Sequence, residues 1–359
     1  MIPLFKVNMA STAAEQVAKV LHSGMIGEGP KVEEFRNKLR KLFGSQYVTC
    51  TNSCTSALSL ALHLAVRPGS KVLSTPFTFW ATNSVIIQRG AKIVWGEIES
   101  ETLCLDVDKA IKSLSETEIA AVVITLVGGT PPLNLEKLYK YLQRQGIPLI
   151  LDCAHALMTT YQDKHISSWC DYAAFSFQAI KHLTTGDGGA LVCQTEEDFS
   201  FAEQLKWFGV SREVPEGMTR LEHQMSSWPT IWGYKAHMND ISAAIGLANY
   251  ELAQWAVQRS RSNAQFFDAE IPQISSGLSL LKNPEADSSY WVYGFRYNDS
   301  RSSLDIAKAF ERKGITASPL WPYPPRQKNL QVIFIPNGFW VTDLLREKIL
   351  DAVRVIFGD

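Results

Sequence analysis

In the stretch Phe175–Val192, Lys181 lies between a strand-like run rich in aromatic and hydroxyl side chains and a turn carrying Gly186, Gly188 and Gly189. Glycines at that density let a backbone press against something bulky. A lysine held in a partly desolvated pocket has its ammonium form disfavoured, and the neutral amine is a nucleophile able to form a Schiff base. Read alone, Lys181 could instead be a strand-end residue whose stem packs while its charge reaches water. A second stretch bears on that choice: Leu149-Ile-Leu-Asp-Cys-Ala-His-Ala156 is an apolar strand ending in a carboxylate, Asp152, 29 positions upstream of the lysine. Asp152 falls at the carboxyl edge of the expected parallel sheet, where open α/β folds bind ligands. A carboxylate buried there is costly unless paired. A protonated pyridine nitrogen is such a partner, and pyridoxal 5'-phosphate is the cofactor that uses both groups.

The elements that must position these groups follow in chain order. Residues 11–43 read as helical, with Val17, Val20 and Leu21 on one face, a break at Ser23–Pro30, and a second helix through Val32, Phe35, Leu39 and Leu42. Tyr47–Leu58 gives a strand, a polar turn and the start of a helix running from Leu58 to Leu64. Free N–H groups and the helix dipole at such a turn make a phosphate cradle; Thr55 and Ser56 could also serve only as helix caps. Val72–Thr82 is a strand, a Pro turn and a helix start crowded by Phe77, Phe79 and Trp80, two of which are expected in the core. Ala91–Glu97 and the β-branched run Ala120–Leu126 are further strands, and Gly128–Pro132 turns into a helix at about 135–145 that returns to the Asp152 strand. This alternation predicts a doubly wound parallel sheet with right-handed crossovers.

Downstream, Leu205–Pro229 reads as a mobile, substrate-facing loop in which Arg212 either holds a carboxylate or diphosphate or is a solvated charge. In Trp232–Gly246, Asn239 or Asp240 caps a helix whose Ala243, Ala244 and Gly246 permit close packing. Residues from about 250 to 359 form a second α/β unit, with a strand at Tyr290–Tyr297 and helices at Leu304–Lys313 and Leu344–Ile356. There is no internal repeat or low-complexity segment, and Pro322–Pro325 is too short for a linker.

Asp-Cys-Ala-His-Ala followed by Phe-Ser-Phe-x-x-x-Lys-x-Leu-Thr-Thr-Gly-x-Gly-Gly resembles the DegT/StrS-type family of pyridoxal-phosphate enzymes, most of which aminate nucleotide-linked keto sugars. The match runs from Ile2-Pro3 to roughly Leu252 and loosens over the last hundred residues. The resemblance implies the α/β PLP-dependent transferase fold: residues 1–250 as a large domain with a mixed, mostly parallel sheet flanked by helices, and 251–359 as a smaller C-terminal α/β domain. It makes Lys181 the Schiff-base lysine and acid/base, and Asp152 the pyridinium anchor. Phe79 becomes the ring that stacks on the cofactor, and His155 approaches the ring oxygen, if it is more than a packing residue. Ser53, Cys54, Thr55 and Ser176 become phosphate contacts, and Gln178 occupies a position where the family varies. The glycine-rich break at 23–30 is either the family's arm over the active site or a simple helix–helix loop.

Three residues depart from the family pattern. Cys54 stands where Ser-Gly-Thr is usual, and Lys235 and His237 replace the Asn and Arg of Gly-Tyr-Asn-x-Arg-Met. That Asn comes from a neighbouring subunit to the cofactor phosphate; an ammonium at 235 can serve as a point charge instead. The segment Trp321–Ile335, which helps form the sugar-nucleotide entrance in the family, is short here. The implied partners are a nucleotide-diphosphate keto sugar and L-glutamate, in the synthesis of cell-surface sugars such as those of lipopolysaccharide O-antigen, or of secondary-metabolite sugars, by a homodimer with shared active sites. Two alternatives stay open: a dehydratase, in which histidine replaces the lysine, and a non-catalytic regulatory protein on the same fold. Lys181 argues against the first, since His182 would face the opposite side of a strand.

Composition sets outer limits. With 35 basic and 36 acidic residues in 359 and a net charge of −1, there is no polyanion-binding field, which argues against nucleic acid as a partner. The six cysteines, at 50, 54, 104, 153, 170 and 193, form no Cys-x-x-Cys pair, so reduced core thiols are expected rather than disulfides or a metal site. The N-terminus lacks a signal-like apolar core and no run of about 18 apolar residues occurs, so a soluble cytoplasmic protein with no membrane partner is expected.

Overall fold

A computed structural model of the chain describes every residue except Glu213, Thr230, 323–329 and Asp359. The first part alternates helix and strand: α1 (Ala13–Ser23), α2 (Pro30–Phe43), β1 (Val48–Thr51), α3 (Cys54–Ala65), β2 (Lys71–Ser74), α4 (Trp80–Gln88), β3 (Lys92–Trp95), α5 (Val107–Glu116), β4 (Ala121–Thr125), α6 (Leu135–Gln145) and β5 (Leu149–Asp152). A small hairpin, β6 (Thr160–Tyr161) and β7 (Lys164–His165), leads to β8 (Tyr172–Ser176) and β9 (Gly189–Cys193). Then come α7 (Glu196–Leu205), α8 (Arg220–Ser226) and the long α9 (Asp240–Glu270). The chain ends with β10 (Leu278–Leu280), β11 (Ala286–Asp287), β12 (Tyr293–Tyr297), α10 (Ser303–Arg312), β13 (Val332–Ile335) and α11 (Asp343–Phe357).

Seven strands form the main sheet in the order β1-β9-β8-β5-β4-β2-β3. The strands from β3 across to β8 pair in parallel, and β9 runs antiparallel to both β8 and β1. The sheet is therefore mixed rather than wholly parallel. The reason is the β8–β9 connection: it carries Lys181 in a loop with no crossover helix, and a chain without such a crossover returns antiparallel. Register lines up Thr125 with Asp152, Ser176 with Gly189, and Gly189 with Thr51, so these residues share one edge of the sheet.

The helical periodicity holds with local corrections. Val20 of α1 is buried but Leu21 is 53% exposed, because Ala13 and Val20 take the inward face. α3 starts at Cys54 rather than Leu58 and is capped by Ser53, whose Oγ accepts from Ser56 N, not by Thr55 or Ser56. Of the three aromatics before and in α4, only Phe77 is in the core. Thr82, Val85 and Ile86 form the inward face of that helix, leaving Phe79 and Trp80 exposed. Leu205–Pro229 is not all loop: Lys206 is 1% exposed, and α8 has a reciprocal Thr219–Glu222 capping box. The strand expected from Tyr290 begins at Tyr293, since Tyr290 adopts a left-handed φ of 48°.

Asn239 caps α9 through Ser242 N, whereas Asp240 accepts from the N–H groups of Gly29, Lys31 and Val32 and so caps α2. Helix α9 runs unbroken past residue 250. Its first half packs Ala243, Tyr250 and Val257 into the core under the main sheet, and its second half packs Ala264 and Phe267 into a separate core with the β10-β12-β13 sheet, α10 and α11. Pro322–Pro325 and the segment Trp321–Ile335, singled out in the sequence, fall partly at 323–329, outside the described residues. All six cysteines are free thiols, and among the described residues no helix is long and apolar enough to cross a membrane.

Candidate active site

The sheet edge gathers most of the residues singled out by sequence. Asp152, the last residue of β5, is 5% exposed. Its Oδ2 accepts from Thr82 Oγ1 at 2.6 Å and its Oδ1 from Ala154 N at 3.1 Å, with the Cys54 thiol at 3.9 Å. Burial pushes its carboxyl pKa up, against these donors and the attraction of Lys181, which pull it down. Thr82 belongs to a buried hydroxyl cluster, in which Thr78 lies 2.9 Å from Thr82 and 2.6 Å from Thr125.

Lys181 sits in the loop after β8, in a turn closed by Lys181 N donating to Gln178 O at 2.9 Å. Gln178 shapes the same turn, its Oε1 accepting from Ile180 N. Trp291 Nε1 pins the loop by donating to Ile180 O at 2.9 Å, and Lys181 Nζ lies 3.8 Å from the centre of the Trp291 ring. Burial lowers the lysine to about 8, with Asp152 and Cys54 opposing, so the amine is far easier to deprotonate than an ordinary lysine. His182, which is not in a strand, turns toward α9 and meets Ser260 Oγ at 3.2 Å.

His155 is buried, stacks on Trp291 at 3.9 Å and accepts from Gly128 N through Nδ1 at 3.3 Å. Burial holds it well below its usual pKa, so it is neutral, and the bond at Nδ1 assigns the ring proton to Nε2. At the other side of the edge, Gly189 presses so closely on α3 that a Cβ there would come within 2.5 Å of Cys54 N. Ser176 is its neighbour in register, and its Oγ accepts from Gln178 N at 3.4 Å. The Ser53 hydroxyl is used as the cap of α3, and the backbone N–H groups of Cys54 and Thr55 point out of the first turn with no partner among the described residues. Phe79, one turn before Thr82, is 51% exposed.

This arrangement fits pyridoxal phosphate. It offers a buried carboxylate for a pyridinium, a desolvated amine for an aldehyde, an exposed ring for stacking, and a helix N-terminus with free N–H groups for a phosphate. Lys235 is held elsewhere: its Nζ lies 4.6 Å from the Trp207 ring, and Asn52 Nδ2 donates to its backbone oxygen. His237 also packs its ring edge-on against Trp207, and Arg212 is taken by Glu28 at 2.7 Å. Thr82 and Trp291 were not found from the sequence. Thr82 lies only one helical turn from Phe79, but nothing in the spacing distinguishes it from a core threonine, and Trp291 arrives from a part of the chain far from the motifs.

Comparison with known proteins gives the same answer. AtS13 from Actinomadura melliaura superposes with a TM-score of 0.89 at 33% identity, covering 99% of this chain and 98% of that one. CalS13, a sugar aminotransferase from Micromonospora echinospora, gives 0.88 at 28% identity, covering 99% and 100%. The spore coat polysaccharide biosynthesis protein SpsC of Bacillus subtilis is 29% identical over 298 residues, 81% of this chain and 74% of that protein. The profile of the DegT/DnrJ/EryC1/StrS aminotransferase family matches residues 8–332. The chain belongs to the DegT/DnrJ/EryC1/StrS aminotransferase family, whose enzymes depend on pyridoxal phosphate.

Proposed function

We propose that this enzyme transfers the amino group of L-glutamate to a keto sugar carried on a nucleoside diphosphate, in the making of a cell-surface or secondary-metabolite sugar. A sugar acceptor is supported by the descriptions of CalS13 as a sugar aminotransferase and of SpsC as a polysaccharide biosynthesis protein. The observation that carries the reading is the pairing of a half-buried Lys181, lowered to about 8, with the buried carboxylate of Asp152.

Pyridoxal phosphate supplies an aldehyde that condenses with amines and a ring that withdraws electrons from the reacting carbon. In this assignment Lys181 Nζ would hold the cofactor and, once freed by the donor amine, would move the proton at the substrate carbon. Asp152 would keep the pyridine nitrogen protonated, Phe79 would stack on the ring, and His155 Nε2–H would serve the ring oxygen. The turn of Ser53, Cys54 and Thr55, with Ser176, holds the phosphate. Lys235, exposed on its own subunit, serves the phosphate of a second copy in a homodimer. Residues 1–250 are taken as the cofactor-binding domain and 251–359 as the smaller domain.

The test is an absorbance spectrum of the purified protein before and after L-glutamate. A visible cofactor band that fades on adding the donor is expected, with both the band and amino transfer lost in Lys181→Ala. Transfer at the parental rate by Lys181→Ala would sink the lysine assignment. A band indifferent to L-glutamate would exclude that donor.

A further inference from the structure

Asn8 is 7% exposed, yet its Nδ2 has no hydrogen-bond partner among the described residues. Buried amides are nearly always satisfied, so an orphan marks a place built for something else. Asn8 lines a narrow cleft with Lys6, Lys181, His182 and Trp291, with room for one water-sized group, about 10 Å³. Among the described residues no acidic side chain lines it. His182 adds no charge, being pressed by burial to about 3 and bonded to Ser260. The segment carrying Asn8 is anchored at both ends: Phe5 stacks on Trp291 at 4.4 Å, and Ala10 N donates to Asn249 Oδ1 at 2.8 Å. Asn8 therefore stays aimed into the cleft beside Lys181.

We propose that Asn8, with Lys6 at the rim, forms the subsite for the α-carboxylate of the amino donor. The inference rests on the assignment of Lys181 as the amine that the donor displaces. An α-amino acid carries its carboxylate two bonds from the nitrogen, so once that nitrogen takes the place of Lys181 Nζ the carboxylate has to lie beside it. This cleft offers an unpaired N–H and an ammonium there with no opposing carboxylate, which suits an anion. The cleft as it stands admits one water-sized group, and movement of Lys181 Nζ away from Asn8 would widen it toward a carboxylate. A keto sugar has no anion at its reacting carbon, so Asn8 distinguishes donor from acceptor.

The test titrates the full-length, cofactor-loaded enzyme with L-glutamate and with its α-carboxamide, L-isoglutamine, following the cofactor band without acceptor. Asn8→Asp keeps the shape and adds a like charge. It is expected to raise the half-saturating L-glutamate concentration by about tenfold or more, while L-isoglutamine titrates much as in the parent and the KM for the sugar is unchanged. Should Asn8→Asp lose the cofactor band, Lys6→Gln at the exposed rim decides, by a several-fold rise for L-glutamate alone. Parental titration by Asn8→Asp, or by Lys6→Gln in its place, would overturn the subsite and leave the cleft to solvent. A parent protein with no band even after adding pyridoxal phosphate would remove the Lys181 assignment itself, and the subsite with it.

Discussion

At the scale of single residues, the site depends on how two buried charges are kept in their working forms. In the proposed assignment Asp152 must be ionised to hold a pyridinium, yet burial opposes that, and Thr82 supplies the shortest of the bonds that favour the anion. Removing the hydroxyl while keeping the shape, in Thr82→Val, is expected to weaken pyridoxal-phosphate binding by about tenfold, as hydrogen bonds to charged groups are worth about 1.5–3 kcal/mol. Thr82→Ser should restore most of it in a titration of the apo-protein. Lys181 presents the converse problem. Below its pKa of about 8 it is protonated and cannot attack an aldehyde; above it the neutral amine prevails. Stopped-flow capture of pyridoxal phosphate by the apo-protein should therefore accelerate as pH rises through that value and then level off. A profile flat across about pH 6–9 would contradict the desolvation argument. Lys181 and Asp152 stand out in the sequence because a lysine before a glycine-rich turn and a carboxylate ending an apolar strand each break a pattern. Thr82 breaks none.

At the scale of elements, the segment between α1 and α2 is fixed from a distance. Helix α2 has glycine at its N-cap and no side-chain cap of its own, so the Asp240 carboxylate meets three of its N-terminal N–H groups instead. Gly29 is required by that approach, since a Cβ there would lie 2.9 Å from Asp240 Oδ2. Asp240→Ala should cost about 1–3 kcal/mol in urea unfolding, as lost caps and orphaned buried donors do, and Asp240→Asn less. An unchanged midpoint would show that the α2 terminus finds another partner. Sequence spacing placed Asp240 at the start of α9 but could not see which helix it caps, because residues 29 and 240 meet only in the folded chain. Gly246 was read correctly as a close-packing position: a Cβ there would meet both Phe35 and Thr185.

At the scale of the molecule, the segment from Leu221 to Trp232 leaves Trp228 81% and Trp232 76% exposed, with Met225 and Leu221 also open. Large apolar side chains massed in one exposed segment mark an association surface. This agrees with the proposed homodimer, in which Lys235, three residues on, serves the partner's site. Sedimentation should give a dimer, and Trp232→Glu should shift it toward monomer with loss of transfer. A monomer with full activity would end the shared-site assignment.

The main strand–helix alternation, a lysine before a glycine-rich turn, a carboxylate ending an apolar strand, and the turn proposed to hold phosphate were readable in the sequence alone, because periodicity, glycine placement and chain-local motifs act over a few residues at a time. Tertiary structure decided what meets across the chain. It set β9 antiparallel, buried Thr82 against Asp152, brought Trp291 and Asn8 to Lys181, and gave Asp240 to α2. Those contacts join residues up to about two hundred positions apart, where only packing and the satisfaction of buried polar groups select the partner.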